Sequence, residues 1–525
     1  MVTGLKPSGA KVAAFLDMGT NSVRLLVVRV EPGGVYSVLN RQREVVRLGE
    51  GEFQEQVLQP EAMDRAVLVC RKFNDLARAY GAEDFVAVAT SATRDAENQG
   101  KFLARLEKEA GLEVRVISGR EEARLIYLGV SSGVHMGAKN AVFIDIGGGS
   151  TEVAVGNQAE HAYLDTLKLG AIRLTQMFFL PEEKGPVSPS RYALIGQYVK
   201  NAAIRTAQRV NEHRIDMAFG SSGTIMNLAD IAREMKLKGP ASENRLGREA
   251  LRKVVETLCS LPLEERKRIP GINPERADIL VAGAAVIETL MDLMGLKEIK
   301  VSDRSLRDGL LVDYLSRTEN FPQMAEMTVR QKSVLRLARS FGLDEDHART
   351  TTRLTLGLFD SARETGLHAY GPAERELLEH AVFLHDIGMF ISFSNHHAHS
   401  HYIIKNSELL GFNQTEISII ACVALFHRKK MPGKENPDFA ALDKGSRQVV
   451  RVLSMFVRLS ESLDRTHTGV VTEACFKAGK GGRVFLEIRA EGDVQMEVWG
   501  VRSQAEGFRK TFKRELQVRV LPPEA

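Results

Sequence analysis

The sequence predicts an α/β chain built from two copies of one domain, followed by an all-helical segment and a small α+β tail. Three observations carry this reading. Apolar strand patterns alternate with helical ones from Val12 to Ser316, as in sheets covered by helices. Within that stretch Phe15-Leu16-Asp17-Met18-Gly19-Thr20-Asn21-Ser22-Val23-Arg24 can be laid on Phe143-Ile144-Asp145-Ile146-Gly147-Gly148-Gly149-Ser150-Thr151-Glu152 at a constant offset of 128 residues. Both segments read apolar-apolar-Asp-x-Gly-x-x-Ser-x-charged. Solenoid repeats run about 20–50 residues, so an offset this long marks a duplicated domain. Beyond Glu319-Asn320-Phe321-Pro322, which reads as a linker, the chain is almost all helical to about His467, and ten of its 13 histidines fall between His347 and His467. These readings set domains at 1–136, 137–318, 319–470 and 471–525.

Val12–Val30 is an apolar strand broken by a turn at Asp17–Ser22. Pro32-Gly33-Gly34 signals a hairpin, and Val35–Leu48 returns as a second strand. Glu61–Tyr80 carries Val67, Val69, Phe73, Leu76 and Ala77 at helical spacing and closes at Gly81. Phe85–Ala89 is a buried strand, Lys101–Ala110 a helix closed by Gly111, Val114–Ile117 a strand and Glu121–Val130 a helix. In the second copy Thr151–Gly156 and Ala162–Lys168 are strands, Arg191–Glu212 a helix and Met217–Phe219 a strand. Helix Arg276–Met294, strand Glu298–Val301 and helix Arg307–Ser316 complete the α/β part. The most apolar run, Ile279–Gly295, contains Glu288 and Asp292, both costly in a bilayer core, and reads as a buried helix. Val484–Val520 alternates as short strands around a polar stretch.

Composition narrows the class. Hydrophobic residues at 44% and charged residues at 26% exclude a disordered, collagen-like or disulfide-scaffold chain. A net charge of +4 is too small for general nucleic-acid or membrane binding, though a local basic groove remains compatible with it. Cys70, Cys259, Cys422 and Cys475 form no CxxC pair and read as buried thiols in a reducing compartment. Met1–Lys11 has no apolar signal-peptide core, so the expected location is cytoplasmic.

Three glycine-rich turns stand at the ends of predicted strands: Gly19–Ser22, Gly147–Thr151 and Gly220–Thr224. Without a Cβ the backbone can approach an anion and aim N–H groups at it. The candidate phosphate ligands are therefore Thr20, Asn21, Ser22, Gly147, Gly148, Gly149, Ser150, Thr151, Ser222, Gly223 and Thr224, with Arg24 and Arg94 as cations and Lys168 and Arg173 beside them. Asp17 and Asp145 stand two residues before the first glycine. There they can hold Mg²⁺, or shape the loop as Asx-turns. Glu152 takes the repeat position of Arg24, and a carboxylate facing a polyanion must either bind metal or handle a water proton. In Ser118-Gly119-Arg120-Glu121-Glu122 the spacing fits a capping box of Ser118 and Glu121, which leaves Glu122 free to act as general base on a hydrolytic water.

Asp17–Ser22, Gly119–Leu125, Asp145–Glu152 and Gly220–Thr224 together resemble the exopolyphosphatase/guanosine pentaphosphate phosphohydrolase family. Ser302-Asp303-Arg304-Ser305-Leu306-Arg307-Asp308-Gly309 is similar to that family's segment at the end of its second domain. The resemblance covers roughly residues 12–315. It implies two actin-like, ribonuclease-H-like domains with a cleft between them, and Mg²⁺-dependent (or Mn²⁺-dependent) removal of the terminal phosphate from inorganic polyphosphate. It also implies Glu122 as catalytic base and metal and water positioning by Asp145 and Glu152, with Asp17 a further metal candidate. Longer members carry a helical domain similar to the HD phosphohydrolases.

Read alone, the histidine stretch has an HD-type pattern. His385-Asp386 closes the apolar run Leu377–Leu384, with His347, His399 and His427 as candidate partners for a second divalent metal. Met389 stands where HDxGK has lysine, and Glu461 or Asp464 takes the place of the late aspartate. The alternative is an HD-like scaffold shaping a groove and a dimer interface. The basic run His427-Arg428-Lys429-Lys430 with Lys434 is either solvated or a guide for a polyanion.

The leading expectation is thus an exopolyphosphatase acting on inorganic polyphosphate. The alternatives are a guanosine pentaphosphate 5'-phosphohydrolase acting on (p)ppGpp, an actin-like ATP-dependent sugar kinase, and a non-catalytic polyphosphate- or nucleotide-binding regulator. A second copy of the chain, as a homodimer, is the expected protein partner; nucleic acid and a membrane span are not expected.

Overall fold

The computed structural model describes residues 10–31, 36–137, 139–237, 244–316, 327–407, 409–479 and 483–522. The expected turn at Pro32-Gly33-Gly34 and the expected linker Glu319–Pro322 lie outside them. The chain forms two compact units, Met1–Glu326 and Met327–Ala525.

The first unit contains the duplication. Its first sheet runs in the order β3 (Tyr36–Val45), β2 (Ser22–Val30), β1 (Lys11–Met18), β4 (Asp84–Ala89) and β5 (Arg115–Val116). Its second runs β8 (His161–Leu167), β7 (Thr151–Gly156), β6 (Ala141–Ile146), β9 (Met217–Ser221), β11 (Glu298–Val301) and β10 (Arg245–Gly247). The two orders match strand for strand apart from β10. Each begins with an antiparallel hairpin, β1–β2 or β6–β7, whose first strand lies parallel to the next, β4 or β9. The apolar runs of these central strands are buried on both faces, as near-continuous hydrophobic strands require.

Helix Gly119–Ser131 and helix Leu306–Ser316 pack closely inside a core shared by both sheets. A Cβ on Gly309 would stand 1.8 Å from the Leu125 carbonyl oxygen, so only glycine permits this crossing. Helix Leu280–Leu293 is buried along most of its length. Its two acids reach partners at its edge: Glu288 accepts from Tyr192 Oη at 2.7 Å, and Asp292 pairs with Arg248 at 3.0 Å. No helix among the described residues is long and apolar enough to cross a membrane.

Several elements were not anticipated: helices Ser91–Asp95, Ala171–Phe178 and Arg248–Ser260, and strand β10. The first begins after Thr90 and the second after Gly170, where hydroxyl and glycine residues mask the helical pattern.

The second unit is helical from Val329 to Leu463. It then forms a sheet ordered β12 (Val471–Ala478), β13 (Arg483–Ala490) and β14 (Glu515–Val520). Helices and sheet share one hydrophobic core, in which Phe456, Phe476 and Phe508 meet. The short strands expected across Val484–Val520 are two strands separated by helices Gln495–Ser503 and Ala505–Phe512. The reason is periodicity. Glu497, Gly500 and Val501, at i, i+3 and i+4, bury one face of the first helix, and Phe508 is the buried side chain of the second.

Candidate active site

The repeat sets the chemistry through its register. Asp17 pairs with Arg24 across the first hairpin, and Asp145 pairs with Glu152 across the second. The turns between them are closed alike, Gly19 N donating to Ser22 O at 3.1 Å and Gly147 N to Ser150 O at 2.9 Å. One cavity of about 80 Å³ collects both turns. It is lined by Asp17, Thr20, Asn21, Ser22, Arg24, Glu122, Asp145, Gly147, Gly148, Gly149, Ser150, Ser222, Gly223 and Thr224, and also by Thr90, Arg276 and Ser305. The two halves approach closely at Gly148, where a Cβ would stand 2.9 Å from Thr20 Cβ.

The third turn opens helix Ser222–Glu234, whose N-terminus has no side-chain cap. Ser221, its N-cap residue, instead donates to Asp145 Oδ2 at 2.5 Å, and Ser222 Oγ donates to the Ile146 carbonyl at 2.7 Å. Ser222 holds φ at +82°, a left-handed conformation unusual for serine, and keeps the turn directed at the cavity. The first-turn amides are thus left facing an anion-sized space. Asn21 adds a buried amide, Nδ2, that has no hydrogen-bond partner.

Four buried carboxylates gather on one side: Asp17, Glu122, Asp145 and Glu152. Burial pushes Asp17 up to about 6, against the pull of Arg24. Burial pushes Glu122 up to about 7, against the pull of Arg94, whose Nη1 lies 3.0 Å from Glu122 Oε2. Asp145 is raised by burial although Ser221 stabilises its charge. Glu152 is raised well above the ordinary carboxylate range, by burial and then by Glu122. It accepts from Thr166 Oγ1 at 2.9 Å, while its Oε2 is buried without a partner. A divalent cation relieves such mutual repulsion, and the all-oxygen donor set suits Mg²⁺.

A group of arginines stands with these acids, and most of it was not foreseen. Arg24 and Arg43 face each other directly across β2 and β3. Arg276 lies over Gly223 and is held down to about 10 by burial, then by Arg43 and Arg24. Partial desolvation of its guanidinium and then Arg24 also lower Arg43, although the residue as a whole is exposed, and burial lowers Arg307. Arg24 donates to Ser305 Oγ at 3.2 Å, and none of these four guanidiniums is ion-paired among the described residues. Like charges directly opposite on neighbouring strands are destabilising, and an anion between them removes the penalty.

Some expected ligands have other tasks. Thr151 is fully buried, and its hydroxyl donates to the Leu169 carbonyl, so it does not reach the cavity. Arg94 donates to Glu122 and to the Ile117 carbonyl. Arg173 donates to the Gly149 carbonyl at 2.7 Å, pairs with Asp95 at 2.5 Å and covers the Phe53 ring, a brace behind the second turn. Lys168 is exposed and lies 3.3 Å from Asp95.

In the second unit His347, His385, Asp386 and His427 come together in a buried ring with Glu461 and His396. His399 is not part of it. Helix His396–Asn406 buries His396, Ser400, Ile403 and Ile404 along one face, and His399 lies on its partly exposed flank. Glu461 sits in the ring, 2.7 Å from His385 Nε2, whereas Asp464 lies behind His347. Arg428, Lys429 and Lys430 are exposed.

The model of the Ppx/GppA phosphatase family matches residues 26–318, and that of Ppx/GppA phosphatase domain III matches residues 329–491. Among solved structures, the chain is similar to an exopolyphosphatase from Cytophaga hutchinsonii. Identity is 28% and the TM-score 0.54, over 59% of this chain and 99% of that one. It is also similar to an exopolyphosphatase-like protein at 27% identity and a TM-score of 0.53, over 58% and 98% of the two chains.

Proposed function

The chain belongs to the Ppx/GppA phosphatase family, an actin-like fold that hydrolyses phosphoric anhydrides, and on that premise we propose that it releases the terminal phosphate of inorganic polyphosphate. The family sets the kinase and the non-catalytic regulator aside. The observation that carries the substrate is a set of guanidiniums without an ion pair among the described residues: Arg24 and Arg276 line the cavity of the terminal phosphate, and Arg43 and Arg307 lie outside its lining. A polyanion of many phosphates meets all four; a single phosphate fills only the cavity.

In this reading the terminal phosphate enters between the Gly19–Ser22 and Gly147–Ser150 turns and faces the amides of Gly223 and Thr224. Glu122 takes a proton from a water whose oxygen forms the new bond to phosphorus as the anhydride P–O bond breaks, giving orthophosphate and a chain one phosphate shorter. Arg94 keeps Glu122 in place, and a pKa near neutrality suits a general base. Asp17, Asp145 and Glu152 would hold Mg²⁺ (or Mn²⁺), which when bound neutralises phosphate oxygens. The arginines receive the charge that develops on the departing chain.

One feature favours a second substrate, guanosine pentaphosphate. A cavity of about 890 Å³ adjoins the first, shares Asn21 and Ile279 with it, and has apolar walls at Ile172, Phe179, Leu180 and Pro181 that suit a base. Measuring kcat/KM on long-chain polyphosphate and on guanosine pentaphosphate decides between them. A higher value on polyphosphate supports the proposal; a preference for the nucleotide overturns it. A homodimer is the proposed assembly, and light scattering that finds only monomer rejects it.

A further inference from the structure

The second phosphate turn is held from behind in a way the first is not, and the difference gives Arg173 a task. Helix Ala171–Phe178 starts against that turn. Ala171 N donates to the Gly147 carbonyl at 3.0 Å, and Ile172 N and Arg173 N donate to that of Gly148 at 2.9 and 3.1 Å. The next carbonyl, Gly149, receives no backbone amide among the described residues. Its donor is a side chain, Arg173 Nε, at 2.7 Å. In the first turn the residue equivalent to Gly149, at the offset of 128, is Asn21. Two backbone amides, Val46 N and Arg47 N, donate to the Asn21 carbonyl at 3.0 and 2.9 Å. Both turns place a donor behind the same carbonyl, and the second takes it from a side chain.

The direction of these carbonyls decides where the amides point. The peptides of the turn are trans and planar, so each N–H stands opposite its C=O. Three carbonyls tied to the helix and its arginine therefore turn the amides of Gly148, Gly149 and Ser150 away from it. All three residues line the cavity assigned to the terminal phosphate, and none of the three amides donates to a protein acceptor among the described residues. Arg173 stays outside that lining. Its guanidinium is fixed on two further sides, by Asp95 Oδ2 at 2.5 Å from Nη2 and by the Phe53 ring, whose centroid lies 3.9 Å from Cζ. Both partners come from the first copy of the repeat, so Arg173 ties the second turn to the first copy.

We propose that Arg173 is a positioning residue for the hydrolytic reaction: it holds the Gly149 carbonyl back and thereby aims the Ser150 amide at the terminal phosphate. The inference rests on the reading that this phosphate enters between the two turns. Gly149 has no side chain to oppose rotation of its peptide with Ser150. Released from Arg173, that peptide is free to turn over and present an oxygen to the phosphate where an N–H stood. Lysine does not replace arginine here. The fork donates from Nε to the carbonyl and from Nη2 to Asp95 at once, whereas a single ammonium is drawn to the carboxylate.

Orthophosphate, the product, reads the terminal site alone, so the test measures its Ki against polyphosphate hydrolysis beside kcat/KM in the full-length chain. Arg173→Ala should raise that Ki and lower kcat/KM, each by about 10–100-fold, the worth of a hydrogen bond from a charged group. Arg173→Lys should behave as Arg173→Ala does. Guanidinium ion added to Arg173→Ala should restore part of both values, ammonium should restore neither, and neither ion should stimulate the wild-type chain. Rescue by both ions, or by neither, overturns the proposal. A role confined to folding lowers the active fraction, and with it kcat, but leaves Ki and KM unchanged; that result overturns it too. If Arg173→Ala does not fold, Arg173→Lys decides, and a wild-type Ki in that variant rejects the assignment. A wild-type chain that releases no orthophosphate from polyphosphate overturns the functional reading, and this inference with it. An active wild type beside unchanged variants removes the inference alone.

Discussion

Among the described residues Glu122 has one cation within ion-pair reach, Arg94, and that pairing determines what a substitution there does. Glu122→Gln keeps the shape and an oxygen for Arg94 but removes the base. It should lower kcat on polyphosphate by about 10²–10⁴-fold and leave Kd near the wild-type value, measured by phosphate release and by binding. Because burial sets Glu122 at about 7, log(kcat/KM) should rise with pH up to that region and then level off. Glu122→Gln should lose this limb; a limb that persists would assign it to another group. The sequence pointed to Glu122 by elimination, since Ser118 and Glu121 fit a capping box. Half of that box forms: Ser118 Oγ accepts from Glu121 N at 3.2 Å, but the Glu121 carboxylate turns to Arg124 at 2.8 Å. Glu121 is still occupied, so the elimination stands on a different contact. Arg276 was not legible, because only the folded chain brings it over Gly223.

The hairpins were the most legible elements, since Asp-x-Gly with a hydroxyl and a charged residue can be read twice in the chain. Their cross-strand partners were not. Counting back from Val28, which pairs with Val38, an unbroken register would set Arg24 against Gln42. A bulge between Val27 and Val28 shifts the pairing by one residue and sets Arg24 against Arg43. The sequence gives no sign of that extra residue, so the cationic face went unseen. Arg43→Gln should raise the stability of the ligand-free chain by about 0.2 kcal/mol, at the low end for cross-strand like-charge pairs because Arg43 is exposed. The same change should raise KM on long-chain polyphosphate with little effect on kcat. Lowered stability together with an unchanged KM would remove Arg43 from the chain's path. In the tail the difficulty was the reverse. A local alternation resembled strands, while the i, i+3, i+4 spacing of Glu497, Gly500 and Val501 was the period that mattered.

At the scale of the whole molecule, the first unit carries buried acids whose pKa values are raised: Asp17 to about 6, Glu122 to about 7, and Glu52, buried beside Arg173, to about 8. Between the ordinary carboxylate range and these values the folded chain holds protons that the unfolded chain has released. Stability of the metal-free unit should therefore fall as pH rises from about 5 to about 8. Mg²⁺ competes with those protons, so it should raise Tm more at the upper pH than at the lower one. Calorimetry at both values checks this, and a pH-independent effect of Mg²⁺ would mean that these carboxylates do not bind it. The central claim is that one cleft joins acids that hold a cation and a base to arginines that hold a long polyanion. Orthophosphate release from long-chain polyphosphate by the full-length chain, with and without Mg²⁺ and beside Glu122→Gln, tests it most directly. The account predicts rapid release that needs Mg²⁺ and is almost abolished in the variant. Release that proceeds at the same rate without a divalent cation, or at the wild-type rate in Glu122→Gln, would contradict it.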